Sequence, residues 1–225
     1  MTDWLFDPAP RPSLTAVTGG RLPVRRILCV GQNYAAHARE MGAERAEPFF
    51  FSKPGDALVA GGGSIPFPGA TDNLHHEAEL VCVIGGEGAD LSPEDAGRLI
   101  WGYAVGVDLT RRDLQAAAKQ AGRPWDAAKG FDHSAPVGPV TAAADWSPGG
   151  QSIALTVNGE TRQSASLADM VWNPAEIVAQ ASRLWRVMPG DLIFTGTPEG
   201  VGPLRPGDTV RATVEGLSPV EFTLT

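Results

Sequence analysis

Two glutamates one residue apart, Glu77 and Glu79, and a distant aspartate, Asp108, are the side chains of this sequence best placed to do chemistry. Glu77 opens an apolar run through Ile84 that reads as a strand. Side chains alternate across a strand, so both carboxylates point to one side. Like charges about 4 Å apart repel by roughly 4 kcal/mol at an effective dielectric near 20, which calls for a cation or a proton between them. Asp108 follows a second apolar run, Trp101 to Val107, at a strand-to-helix junction. Three oxygen donors without cysteine suit a hard dication, Mg²⁺ or Mn²⁺, and an octahedral ion held by three single oxygens keeps about three positions for water or substrate. Such a site is catalytic rather than structural. Spacing alone is met equally well by an exposed strand start and an unrelated helix cap at Asp108.

His37 and Glu40 are three apart in a segment, Tyr34 to Met41, that Asn33 can cap and Gly42 can close as a short helix. On one helical face the carboxylate would hold the imidazole and raise its basicity, the arrangement of a general base that takes a proton from water. An exposed helix pair has the same spacing. Lys129 falls between expected elements, where a fixed cation stabilises an enolate or a carboxylate, or where a lysine simply faces solvent. The loop Thr195 to Gly202 follows a strand and offers amides, that of Gly196 among them, to an anion; no helix with an acidic ribose partner follows, so it is not a dinucleotide loop. His75 and His76 lack the helical spacing of a zinc protease and read as pocket or edge residues. Cys29 and Cys82 lie in separate apolar runs and read as buried thiols rather than a disulfide.

These groups need a scaffold to converge on. Glycine and proline, 27 and 19 of the 225 residues, fall between short apolar runs, so the expected fold is α+β and β-rich, with many strands joined by tight turns. Residues 1–23 read as a proline-bearing arm with one strand, and residues 24–225 as a single domain. Helices are expected from Ser92-Pro93-Glu94-Asp95 to Leu99 and from a Thr110 cap through Ala121. A third should start at Asn173-Pro174, with Ile177, Ala181, Leu184 and Met188 on its apolar face. Asn158-Gly159, flanked by Ile153 to Val157 and Glu160 to Gln163, is a type I′ hairpin signal, and two Pro-Gly-Asp turns introduce strands at residues 192–195 and 209–214. A formal net charge of -8 argues against nucleic acid and anionic membrane as partners, and no apolar run nears the roughly 20 residues of a membrane span. The start of the chain does not read as a signal peptide, so a cytoplasmic location is expected.

Several motifs in order carry a resemblance: Val30-Gly31-Gln32-Asn33-Tyr34-Ala35-Ala36-His37, Phe50-Phe51-Ser52-Lys53-Pro54, Glu77-Ala78-Glu79-Leu80, Asp108-Leu109-Thr110-Arg111-Arg112-Asp113, Lys129-Gly130-Phe131-Asp132 and Gly190-Asp191-Leu192-Ile193-Phe194-Thr195-Gly196-Thr197-Pro198. Across roughly residues 24–225 the sequence resembles the fumarylacetoacetate hydrolase superfamily. Within it, Arg39-Glu40-Met41-Gly42 and Gly122-Arg123-Pro124-Trp125 are most similar to fumarylpyruvate hydrolases of aromatic-acid breakdown. The resemblance implies a mixed β-sandwich roll of the fumarylacetoacetase C-terminal-domain type, a homodimer, and Mg²⁺ or Mn²⁺ on Glu77, Glu79 and Asp108. It also implies catalytic roles for His37, Glu40 and Lys129, and contacts from Arg112, Gln115, Gly196 and Thr197 to a small 2-oxo acid. His76 stands where an aromatic residue is common, and Gly130 where serine is frequent.

The reaction expected from this set is cleavage of a carbon–carbon bond in an acylpyruvate, fumarylpyruvate giving fumarate and pyruvate. The rivals are an oxaloacetate decarboxylase or 2-oxo acid isomerase on the same scaffold, and a non-catalytic metabolite-binding protein that keeps the metal site.

Overall fold

The strand Ala78–Ile84 is buried at every residue, which requires a core on each face of its sheet. The computed structural model of the chain describes residues 5–7, 9–34 and 47–225. In it, Ala78–Ile84 lies inside an eight-stranded mixed sheet. The order is Phe49–Lys53, Arg26–Gly31, Asp191–Phe194, Ala78–Ile84, Ile100–Val107, Ala135–Val137 and Leu58–Ala60, with Thr141–Ala142 added beside Ile100–Val107. Arg26–Gly31 runs parallel to Asp191–Phe194, and Ala78–Ile84 is antiparallel to both its neighbours.

Alternation sorts the apolar residues of this sheet between two cores. Leu28, Leu80, Cys82 and Val105 pack with Ile153, Leu155, Val210 and Phe222 of a five-stranded sheet. Ile27, Cys29, Val81, Val83 and Phe194 cluster instead with Leu14, Val24 and Val140. Each Val or Leu so removed from water contributes roughly 1.5–3 kcal/mol. The five-stranded sheet runs Glu160–Ser166, Ser152–Val157, Thr209–Val214, Val220–Leu224, Gly62–Ile65. Its hairpin turns at Asn158 and Gly159, with φ of 52° and 84°, as the sequence signal requires. Both cysteines are buried free thiols, and burial pushes their pKa values up.

Four α-helices are described: α1 (Pro93–Arg98), α2 (Arg112–Gln120), α3 (Asp126–Lys129) and α4 (Pro174–Leu184). The Ser92 side chain caps α1, and Asn173 with Glu176 forms the capping box of α4. Three sequence expectations are corrected, and a fourth falls outside the described residues. The N-terminal segment makes two short strands, Ser13–Thr15 and Arg21–Pro23, where one was expected. Thr110 does not cap a helix, because it pairs with His75 in a short strand and α2 starts only at Arg112. α4 stops at Leu184, which is exposed, and Met188 lies beyond it. The Asn33 side chain bonds Thr195 O at 2.8 Å and both main-chain groups of Trp172, and the helix expected after it lies, from residue 35 on, outside the described residues.

A small third sheet, ordered Thr110–Arg111, Leu74–His76, Gly202–Leu204, abuts the large one. Glu77 is the single residue between Leu74–His76 and Ala78–Ile84, while Asp108 and Leu109 join Ile100–Val107 to Thr110–Arg111. The chain thus steps between the same two sheets at Glu77 and at Asp108, and the Asp108 N–H donates to Glu77 O at 2.8 Å to hold the two steps side by side.

Asp191 anchors the far end of the large sheet. Its buried carboxylate accepts from Arg25 Nη1, Arg26 Nη2 and the Met188 N–H, each at 2.9 Å. Asp191→Ala leaves those donors without their acceptor and should lower unfolding free energy in urea by about 2–4 kcal/mol. A loss below about 0.5 kcal/mol, the range of an ordinary surface change, would contradict this role.

Candidate metal centre and active site

The double step brings three acids to one place. Glu77, Glu79 and Asp108 are all buried, and a ligand oxygen from each lies within 4.8 Å of the others. The repulsion expected from the sequence is met by three cations. Lys129 Nζ donates to Glu77 Oε2 at 2.6 Å, to Asp108 Oδ2 at 2.7 Å and to Thr110 Oγ1 at 2.7 Å. Arg112 donates to Glu77 Oε1 and, at 2.5 Å, to Gln115 Oε1. Lys53 Nζ donates to Leu109 O at 3.0 Å and to Lys129 O. It also lies 2.8 Å from Asp108 Oδ1, an ion-pair distance but without hydrogen-bond geometry, so Oδ1 is a buried oxygen that receives no hydrogen bond from any described residue.

Protonation follows from these contacts. Burial, then the charges of Asp108 and Glu77, push the Glu79 carboxyl well above the usual carboxylate range, even though the Gly196 N–H donates to its Oε2 at 2.6 Å. Burial also works against Asp108, but Lys129 and Lys53 outweigh it and hold that carboxyl below its ordinary value. For Lys129, burial disfavours the charge while Asp108 and Glu77 restore it and raise the pKa. The donor set fits a hard dication: it is all oxygen, it converges, it includes an oxygen of Asp108 with no hydrogen bond, and it contains a glutamate that needs positive charge to ionise.

The three acids do not stand alone. A cavity of about 440 Å³ reaches Glu77, Glu79 and Lys129, and Arg112, Gln115 and Thr197 also line it. Lys129 is neither in a loop nor on the surface; it ends α3 and is 2% exposed. Arg112 spends its described contacts on Glu77, Gln115 and His75, so it braces a metal-ligand candidate as well as facing the cavity. The Gly196 amide, expected to face an outside anion, holds Glu79 instead. Its φ is +95°, and an added Cβ would come within 2.7 Å of the Asn33 Cβ, so glycine is required there. Thr197 Oγ1 accepts from Gln163 Nε2 at 2.8 Å. His76 is buried against Gln163 and His75 lies 2.9 Å from Asn73, so neither joins the acidic cluster. His37 and Glu40 lie outside the described residues.

Three residues here carry roles that sequence reasoning did not assign. Lys53 had a signal: Phe49, Phe51 and Lys53 alternate along one strand, so the lysine shares the face of Phe51, which lines the cavity. Gln163 had none. Its amide ties Ala78, between the two glutamates, to Thr197 and Pro198, yet its neighbours in sequence are all polar. Tyr34 lines the cavity and keeps its Oη buried without a hydrogen-bond partner among the described residues, a donor that a ligand oxygen could use.

With this geometry in view, comparison with known proteins is informative. Residues 26–225 match the family model described as fumarylacetoacetate (FAA) hydrolase C-terminal. An Arabidopsis thaliana protein named mitochondrial oxaloacetate tautomerase FAHD1 is 44% identical over 199 residues, covering 88% of this chain and 89% of the relative. A fumarylpyruvate hydrolase of Ralstonia sp is 41% identical over 178 residues, 79% of this chain and 93% of the relative. The crystal structure of fumarylpyruvate hydrolase from Pseudomonas aeruginosa in complex with Mn²⁺ and pyruvate superposes with a TM-score of 0.93 at 44% identity, covering 99% of each chain.

Glu79→Gln tests the cluster. The amide keeps an acceptor for the Gly196 N–H and, like the protonated carboxyl, carries no charge, so the metal-free fold should be no less stable. Mn²⁺ affinity measured by calorimetry should fall by about 100-fold or more, since even a partner outside the coordination sphere is worth about 10- to 100-fold. Unchanged Mn²⁺ affinity would remove Glu79 from the ligand set.

Proposed function

The chain belongs to the fumarylacetoacetate hydrolase family, and we propose that it is a metal-dependent enzyme that hydrolyses the carbon–carbon bond of acylpyruvates, fumarylpyruvate foremost. The observation that carries this is the convergence of Glu77, Glu79 and Asp108 beside buried Lys129, with Glu77, Glu79 and Lys129 lining one cavity. Water adds across the bond, so fumarylpyruvate gives fumarate and pyruvate.

Mg²⁺ or Mn²⁺, held by the three carboxylates, would chelate the 2-oxo acid end of the substrate and draw electron density from its keto oxygen. Lys129, kept charged by Glu77 and Asp108, supplies a fixed positive charge where the pyruvate enolate develops, in a site that water reaches poorly. Gln115 and Thr197, on two different elements of the lining, orient the substrate. His37 and Glu40, proposed on sequence alone, take the proton from the attacking water and deliver it to the departing carbanion carbon. A homodimer belongs to the same proposal.

A second activity shares most of these parts. The Arabidopsis relative is named an oxaloacetate tautomerase, and enolisation of a 2-oxo acid needs the same carboxylates and Lys129 but no attacking water. The purified protein with Mg²⁺ or Mn²⁺ should release pyruvate and fumarate in equal amounts from fumarylpyruvate. Comparable runs with acetylpyruvate and oxaloacetate separate the readings: pyruvate and CO₂ from oxaloacetate alone favour a decarboxylase, accelerated enol-to-keto conversion of oxaloacetate followed by its ultraviolet absorbance, without pyruvate, favours the tautomerase, and no response in any of these favours a binding protein. His37→Ala should cut fumarylpyruvate cleavage by about 10²- to 10⁴-fold, the value of a general base, and spare enolisation by comparison. Equal losses in both would take His37 out of water activation.

A further inference from the structure

Helix α2 presents three residues to the cavity, Arg112, Gln115 and Lys119, at spacings that put them on one helical face. Arg112 is bonded to Glu77 at the acidic cluster. With a rise of about 1.5 Å per residue, Lys119 stands about 10 Å along the helix from it, toward the exposed end. An aromatic wall accompanies this ladder. Lys129 Nζ lies 4.9 Å from the Phe51 ring, Phe51 lies 5.7 Å from Trp125, Phe49 meets Trp125 edge-on at 5.3 Å, and Lys119 Nζ lies 5.1 Å from the Trp125 ring centre. The wall therefore runs from a buried cation to an exposed one.

Charge singles out Lys119. Among the described residues the cations lining the cavity are Arg112, Lys119 and Lys129; the first and last are bonded to Glu77, and Lys119 makes no ion pair with any of the described residues. We infer that Lys119 and the Phe49–Phe51–Trp125 wall form a subsite for the far end of the substrate, selecting 2-oxo acids with a second, distal carboxylate on a flat acyl chain. This rests on the acylpyruvate reading, which sets the 2-oxo acid end at Glu77, Glu79 and Asp108. Length agrees. Three bonds of an extended chain span about 3.8 Å, so the six bonds of a seven-carbon diacid span about 7.6 Å, comparable with the roughly 10 Å of helix rise from Arg112, which is bonded to Glu77, to Lys119. Apolar ring faces suit a planar conjugated chain, and the ammonium at the open end suits the carboxylate that ends it.

The test uses two seven-carbon probes, 2-oxoheptanedioate and 2-oxoheptanoate, which differ only in the distal carboxylate and lack the second keto group that cleavage requires. Titrated calorimetrically into the Mn²⁺-loaded protein, the diacid should bind about tenfold tighter, the scale of one charge-assisted contact. Lys119→Met should erase that preference without changing Mn²⁺ affinity, and Lys119→Arg should retain most of it. A wild-type protein with no preference, or a Lys119→Met protein that keeps it, overturns the subsite. If the preference and its loss stand while fumarylpyruvate yields no pyruvate, the subsite holds and the hydrolase reading falls.

Discussion

Burying three carboxylates within a few ångströms of one another is the constraint on which this structure turns. At an effective dielectric near 20 each like-charged pair costs roughly 4 kcal/mol, and three such pairs together rival the roughly 5–15 kcal/mol by which a domain is stable. Three cations, Lys53, Lys129 and Arg112, equal the three carboxylates in number but contact only Glu77 and Asp108 among the described residues, and burial leaves the Glu79 carboxyl to be neutralised by a proton or by a bound dication. The protein therefore carries a site whose residual electrostatic demand is the one a metal ion meets.

Each compensating group arrives from a different part of the fold. Lys53 ends an edge strand of the large sheet, Arg112 opens α2, Lys129 closes α3, and the Gly196 amide follows a central strand. None of these elements could shift without uncovering a buried charge. The site sits where two sheets meet, because there the chain steps from one sheet to the next at two places side by side. Gln163 belongs to the five-stranded sheet and reaches across to the main chain at Ala78, so that sheet also helps to set the angle between Glu77 and Glu79.

The elements that depend on local chemistry were legible in the sequence: the two-sided apolar strand at Ala78–Ile84, the Ser92 and Asn173 caps, the Asn158-Gly159 turn, and the alternation that puts Glu77 and Glu79 on one side. What was misread depends on partners far along the chain. Thr110 has the type and setting of a helix cap, but pairing with His75 extends the backbone there and gives its hydroxyl to Lys129. A lysine before a glycine has the look of a surface residue, and only the acids at 77 and 108 make burial of Lys129 favourable. Gln163 is indistinguishable from its exposed neighbours until the loop carrying Thr197 and Pro198 is laid over it. Polar residues that hold other polar residues leave little periodic trace, because their partners are chosen by topology.

The most direct measurement is the anomalous scattering of crystals grown with Mn²⁺. The account predicts one strong peak bonded, at about 2 Å, to an oxygen of each of Glu77, Glu79 and Asp108, with the cavity toward Thr197 and Gln115 open beside it. A peak elsewhere, with those three carboxylates bound only to Lys53, Lys129 and Arg112, would contradict it.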